Sequence, residues 1–131
     1  MRHVLLTYLM PLLLVIPFIV AQAEERSDAS VWELGLKDMH FKGKTIKEGK
    51  SVIEIKVPRR AEDAGIVPVS INAHIPQNKD LYIEKIYVFV DKNPQPLAGT
   101  FTLTPDMGRA DLAMRLRINE YTFVRAVAQL N

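Results

Sequence analysis

The side chains able to do acid–base, nucleophilic or metal chemistry are few and scattered. The 131-residue chain has three histidines and no cysteine. That removes thiolate catalysis, thiolate metal sites and disulfides. His40 falls at the end of a predicted helix, where the helix dipole favours a cation. His74 falls on the polar face of a predicted strand. Two histidines in separate elements, without ligand spacing, do not make a metal site. Ser27, Ser30, Ser51 and Ser70 lack the tight strand-to-helix turn that exposes a nucleophilic serine. Glu62-Asp63 is a candidate carboxylate pair. Beside Arg59 and Arg60, the plainer reading is a solvated loop with ion pairing. No catalytic residue, cofactor or metal ligand is therefore expected, and the chain is read as a non-enzyme. The alternative is a secreted β-sandwich that binds a small ligand or metal through His74, Glu62 and Asp63.

The arginines are more suggestive. Arg109, Arg115 and Arg117 line one side of the segment Asp111–Asn119 and the turn that leads into it. Arg125 is placed opposite them, on the next strand. An ordinary solvent face explains such a row. The functional reading is a docking surface for an acidic partner, because arginine is enriched at interface centres. Arg109, Arg115, Arg117 and Arg125 are the candidate partner-binding residues.

The elements that must position these side chains are mostly strands. The organising stretch is Ile86–Leu103. Ile86–Val90 is β-branched and aromatic, as a buried strand requires. Asp91–Gly99 gathers Asp, Asn, two prolines and a glycine, so sheet pairing stops there. Phe101 and Leu103 alternate with threonines in the returning strand. Ser51–Val57 alternates with one wet face and is ended by Pro58. Ile66–Ile75 forms another strand, in which Pro68 predicts an edge position or a bulge. Leu81–Val90 reads as the central strand. Leu112, Met114, Leu116 and Ile118 predict the inward face of Asp111–Asn119, and Tyr121–Gln129 is the last strand. Gly108 is available for positive φ in the preceding turn. Before the strands, Ser30 and Glu33 fit a capping box. Trp32, Leu36 and Met39 then form one stripe of a short helix from about Val31 to His40. Trp32 is read as the anchor of that helix. Six strands, short turns and no βαβ spacing predict an all-β fold: an immunoglobulin-like antiparallel β-sandwich with one short N-terminal helix.

Residues 1–23 read as a signal peptide. Arg2 precedes the apolar run Val4–Val20, and Ala21-Gln22-Ala23 supplies small residues before Glu24-Glu25. The run contains Pro11 and Pro17 and is short for a membrane span. Cleavage after Ala23, a periplasmic location and no stable membrane anchor are expected. Residues 24–131 are then one domain. Arg2 is the only charge lost, so the net charge of +2 falls by one. Near neutrality argues against nucleic acid and anionic membranes as partners.

Four segments together resemble a known family. They are Arg60-Ala61-Glu62-Asp63-Ala64-Gly65-Ile66-Val67-Pro68-Val69, Asp91-Lys92-Asn93-Pro94-Gln95-Pro96, Arg115-Leu116-Arg117-Ile118-Asn119 and Val124-Arg125-Ala126-Val127-Ala128. In this order they resemble the SoxY domain of sulfur-oxidation carriers, closest to the SoxYZ-like carriers associated with quinoprotein dehydrogenases. The resemblance runs from about Trp32 onward. It implies an exported, immunoglobulin-like scaffold that binds a SoxZ-type partner domain in a sulfur-oxidation or periplasmic dehydrogenase system. In that family a Gly-Gly-Cys arm after a final strand carries sulfur intermediates. No cysteine is present here, so the resemblance predicts a SoxY-like domain without its carrier arm, incomplete at the C-terminus. The last strand is then expected to have an open edge, which invites strand addition.

Overall fold

A computed structural model describes residues 31–131. The signal-peptide reading and the Ser30 half of the capping box lie outside the described residues. A helix opens the domain, first as a π-type segment at Trp32–Leu36 and then as α1, Lys37–Phe41. Six strands follow: β1 (Ile53–Lys56), β2 (Val67–Ala73), β3 (Ile83–Val90), β4 (Leu97–Thr102), β5 (Leu112–Leu116) and β6 (Val124–Leu130). They form two antiparallel three-stranded sheets, ordered β1-β2-β5 and β4-β3-β6. This is the β-sandwich expected from the alternation. Among the described residues no helix is long and apolar enough to cross a membrane.

The main core lies between the sheets. Ile53, Ile71 and Ala73 from one sheet meet Ile83, Ile86 and Val88 from the other, with Leu103 and Ala110 closing the ends. β3 is central in its sheet and buried on both faces, because the opposite face of that sheet carries the helix. Phe89 and Tyr87 project outward there, and Trp32, Leu36 and Phe41 pack on Phe89. The Trp32 and Phe89 ring centroids are 5.3 Å apart, and those of Phe41 and Tyr87 are 5.0 Å apart, both edge-to-face. A strand covered on both sides reads as a continuous apolar run, which is what Ile86–Val90 shows.

The helix differs from its predicted stripe. Trp32 and Leu36 are buried as expected, but Met39 is 75% exposed and Phe41 takes its place. The helix opens with a π-turn, in which the Lys37 N–H donates to the Trp32 carbonyl, an i→i+5 bond. Positions 32, 36 and 41 are buried. Gly43, at φ 79°, then reverses the chain, and the Lys44 N–H caps the Phe41 carbonyl.

Pro68 lies in the middle strand of its sheet, yet its local position is an edge. β1 pairs only with Ser70–Ala73, so Val67–Val69 have β5 as their one neighbour. β6 begins at Val124, later than predicted. β5 and β6 belong to different sheets, so Arg125 is not opposite Arg115 and Arg117.

Candidate functional site

The four arginines occupy three different settings. Arg115 on β5 and Arg117 just beyond its end are exposed, while Leu112, Met114, Leu116 and Ile118 are half-buried. β5 is an edge strand, paired only with β2. Directly across from Arg115 stands Pro68, and across from Ala113 stands Ser70. Among the described residues neither arginine makes an ion pair. The Arg117 Nε donates only to Asn119 Oδ1, at 3.2 Å.

Arg109 is a staple. Its Nε donates to Asp111 Oδ2 at 2.7 Å and its Nη2 to the Ala73 carbonyl at 3.3 Å. Asp111 Oδ1 accepts from the Ala73 N–H at 2.8 Å. These side chains continue the β2–β5 ladder one step beyond its last backbone pair, Ile71 with Leu112. The guanidinium of Arg109, and next the Ala73 N–H, hold the Asp111 carboxyl below its usual range. The same hydrogen bond raises Arg109.

Arg125 belongs to the interior of the other sheet's outer layer. Its Nε donates to Asp91 Oδ2 at 2.8 Å, and that carboxylate is fully buried. The guanidinium lies 5.1 Å from the Trp32 ring centre and 5.0 Å from that of Phe123. A planar cation between two aromatic faces and a buried acid is a packing joint.

The motif Asp91–Pro96 turns out to be a tie between elements. Asp91 holds Arg125, and its N–H donates to the Phe123 carbonyl. The Lys92 N–H donates to Thr122 Oγ1. Asn93 reaches across to the other sheet: its Nδ2 donates to the Arg117 carbonyl at 2.8 Å, and its Oδ1 accepts from the Asn119 N–H at 3.1 Å. Asn93 thereby fixes the chain end from which Arg117 projects.

Gln77 lies in the connection between β2 and β3. It is buried, accepts from the Ile83 N–H at 2.7 Å and donates to the Ile83 carbonyl at 3.1 Å. A further bond reaches the Thr104 carbonyl at 3.3 Å. Its amide imitates a neighbouring strand where the β3–β6 register shifts between Ile83 and Lys85. Only its position between Pro76 and the central strand signals this role.

His74 and the Glu62-Asp63 pair are not brought together. His74 follows the last residue of β2 and Asp63 precedes the first. The whole strand, about 23 Å at ~3.3 Å per residue, separates them. Asp63 Oδ1 instead accepts from the Gly65 N–H at 2.7 Å, a local turn. Arg59 and Arg60 make no ion pair among the described residues, contrary to the loop pairing expected.

β6 has β3 on one side only. By register, Arg125, Val127 and Gln129 bond toward β3, so Val124, Ala126 and Ala128 turn their backbone groups to the open edge. The connection between α1 and β1 passes this edge, and a groove of about 450 Å³ remains between them. Lys44 Nζ reaches Gln129 Oε1 across it, at 3.3 Å.

Residues 37–131 match the family model described as sulfur oxidation protein SoxY. The chain belongs to the SoxY family. Among solved structures, the sulfur carrier protein SoxY from Chlorobium limicola f thiosulfatophilum aligns with a TM-score of 0.51. Identity is 24%, with 80% of this chain and 97% of that chain covered. That likeness concerns the fold. No curated protein sequence matches this chain.

Proposed function

We propose that this SoxY-family domain is an exported, non-enzymatic docking scaffold that binds a SoxZ-type partner domain. Its system is a sulfur-oxidation pathway or a quinoprotein dehydrogenase of the periplasm. The 131 residues contain no cysteine, and covalent sulfur carriage needs a thiolate nucleophile. What these residues can supply is therefore binding, and the signal-peptide pattern of residues 1–23 supports export.

One observation carries the docking reading: Arg115 on the edge strand and Arg117 just beyond its end make no ion pair among the described residues. Their guanidinium groups, aligned two residues apart, suit acidic side chains on a partner. The β6 edge belongs to the other sheet.

The test is titration of the folded chain with a SoxZ-type domain from the same organism, followed by calorimetry. Arg115→Ala/Arg117→Ala should weaken binding about tenfold or more, since central interface arginines exceed ~1 kcal/mol each. Unchanged affinity would remove the β5 face from the interface.

A further inference from the structure

A second surface stands apart from the β5 face. At the end of the sandwich where β1 leaves, β2 begins and β5 crosses to β6, a groove of about 580 Å³ opens. Its lining is mostly apolar and includes Val57, Pro58, Ile118 and Phe123. Tyr121, 83% exposed, is part of the lining. Arg59 and Arg60 also line it and are exposed. The one acid lining the groove, Glu120, is already matched by Lys92 at 3.8 Å. Glu62 and Asp63, though close in sequence, do not line it. The groove thus combines apolar surface, an exposed tyrosine and two cations without ion-pair partners among the described residues.

We propose that this groove seats an extended acidic segment of a partner protein. An apolar side chain of that segment rests between Pro58 and Phe123, and flanking carboxylates meet Arg59 and Arg60. Three alternatives are less consistent with the geometry. Small-molecule pockets enclose most of their ligand, whereas Tyr121, Arg59, Arg60 and Ala61 are all exposed and cannot wrap one. A two-fold contact with a second copy would set the same arginine pair against itself. An anionic surface would bind the arginines and leave the apolar lining unused. Tyrosine and arginine around an apolar centre are the composition of peptide-recognition hot spots.

The inference is independent of the β5 docking face, and the experiment separates the two. Labelled folded protein is applied to an array of octapeptides in which Asp or Glu residues flank one Leu, Phe or Tyr. A matched array carries Lys in place of the acids. Retained peptides are then measured by fluorescence anisotropy. The expected result is retention of the acidic series over the lysine series. Arg59→Glu/Arg60→Glu should weaken the acidic peptides about tenfold or more, and Arg115→Ala/Arg117→Ala should leave them unchanged. Tyr121→Ser, at a position too exposed to unfold the domain, should weaken them about threefold to tenfold. The proposal is overturned if the acidic series is not preferred, or if the preference survives reversal of Arg59 and Arg60.

Discussion

Replacing Arg125 by methionine tests whether the arginine is a packing joint or a solvent-facing docking residue. The Asp91 side chain is 0% exposed and that of Arg125 27% exposed, with 2.8 Å between them. Breaking a buried ion pair from one side costs about 3–5 kcal/mol, because the remaining charge keeps its desolvation penalty. The partial exposure of Arg125 leaves some of its charge hydrated, which moves the figure toward the lower end. Loss of the contacts with Trp32 and Phe123 adds about 0.5–1 kcal/mol each. The expected destabilisation is therefore about 4–5 kcal/mol, a fall in Tm of roughly 16 °C or more for a domain near 100 residues. Arg125→Lys keeps the charge but loses the Nε donor and the planar stack, so about half of that loss is expected. Urea unfolding reports it directly, since Trp32 is the only tryptophan and lies against the guanidinium. A cycle with Asp91→Asn should give a coupling of at least about 1 kcal/mol. Stability of Arg125→Met within about 0.5 kcal/mol of the parent would refute the joint and return Arg125 to the docking surface.

Two further outcomes are expected. Gln77→Leu keeps volume but strips the Ile83 N–H and carbonyl of their side-chain partner in a buried setting, so a loss of about 2–4 kcal/mol should appear in the urea midpoint, with faster amide exchange at Ile83. Asp111→Asn should change the acid limb of stability: the folded carboxyl is held low, so it stabilises above the ordinary aspartate value of ~3.9 and loses that contribution as pH falls through the lowered value. The variant should show a flatter fall in this window, and parallel curves for the two proteins would contradict the Arg109–Asp111 staple.

Much of the scaffold was legible because burial imposes period two on each strand. Leu112, Met114, Leu116 and Ile118 are half-buried as their alternation requires, and the unbroken run Ile86–Val90 matches a strand covered on both faces. The helix stripe departs at Met39, which is exposed while Phe41, two residues on, is buried; the helix is not a uniform 3.6-residue one, since it opens with a π-turn. The arginine row was split for a different reason. Alternation assigns a side chain to a face, but it does not say which sheet a strand joins. Arg125 therefore joined Arg115 in the sequence reading, while the topology gives it to Asp91. Gln77 escaped notice because a polar residue between proline and asparagine is the composition of a turn, and its two-way bond to Ile83 is a tertiary fact.

The family signature and the candidate surfaces overlap in Arg60, Arg115 and Arg117, and the rest of the signature is joined to them by geometry. Asp91 and Asn93, which carry the resemblance, spend their polar atoms inside the domain. Asp91 orients Arg125 beside Phe123, and Asn93 grips the backbone on both sides of Ile118. Phe123 and Ile118 are two of the residues that line the end groove, and Arg117 leads into the same crossing. A chain that keeps the Asp-Lys-Asn-Pro corner thus keeps the shape of that end of the sandwich, whatever chemistry its other residues perform. Arg59, Arg60, Arg115 and Arg117 are exposed, outside the packed interior. Substituting Arg59, Arg60, Arg115 or Arg117 should therefore change binding without changing stability, the opposite of substituting Arg125.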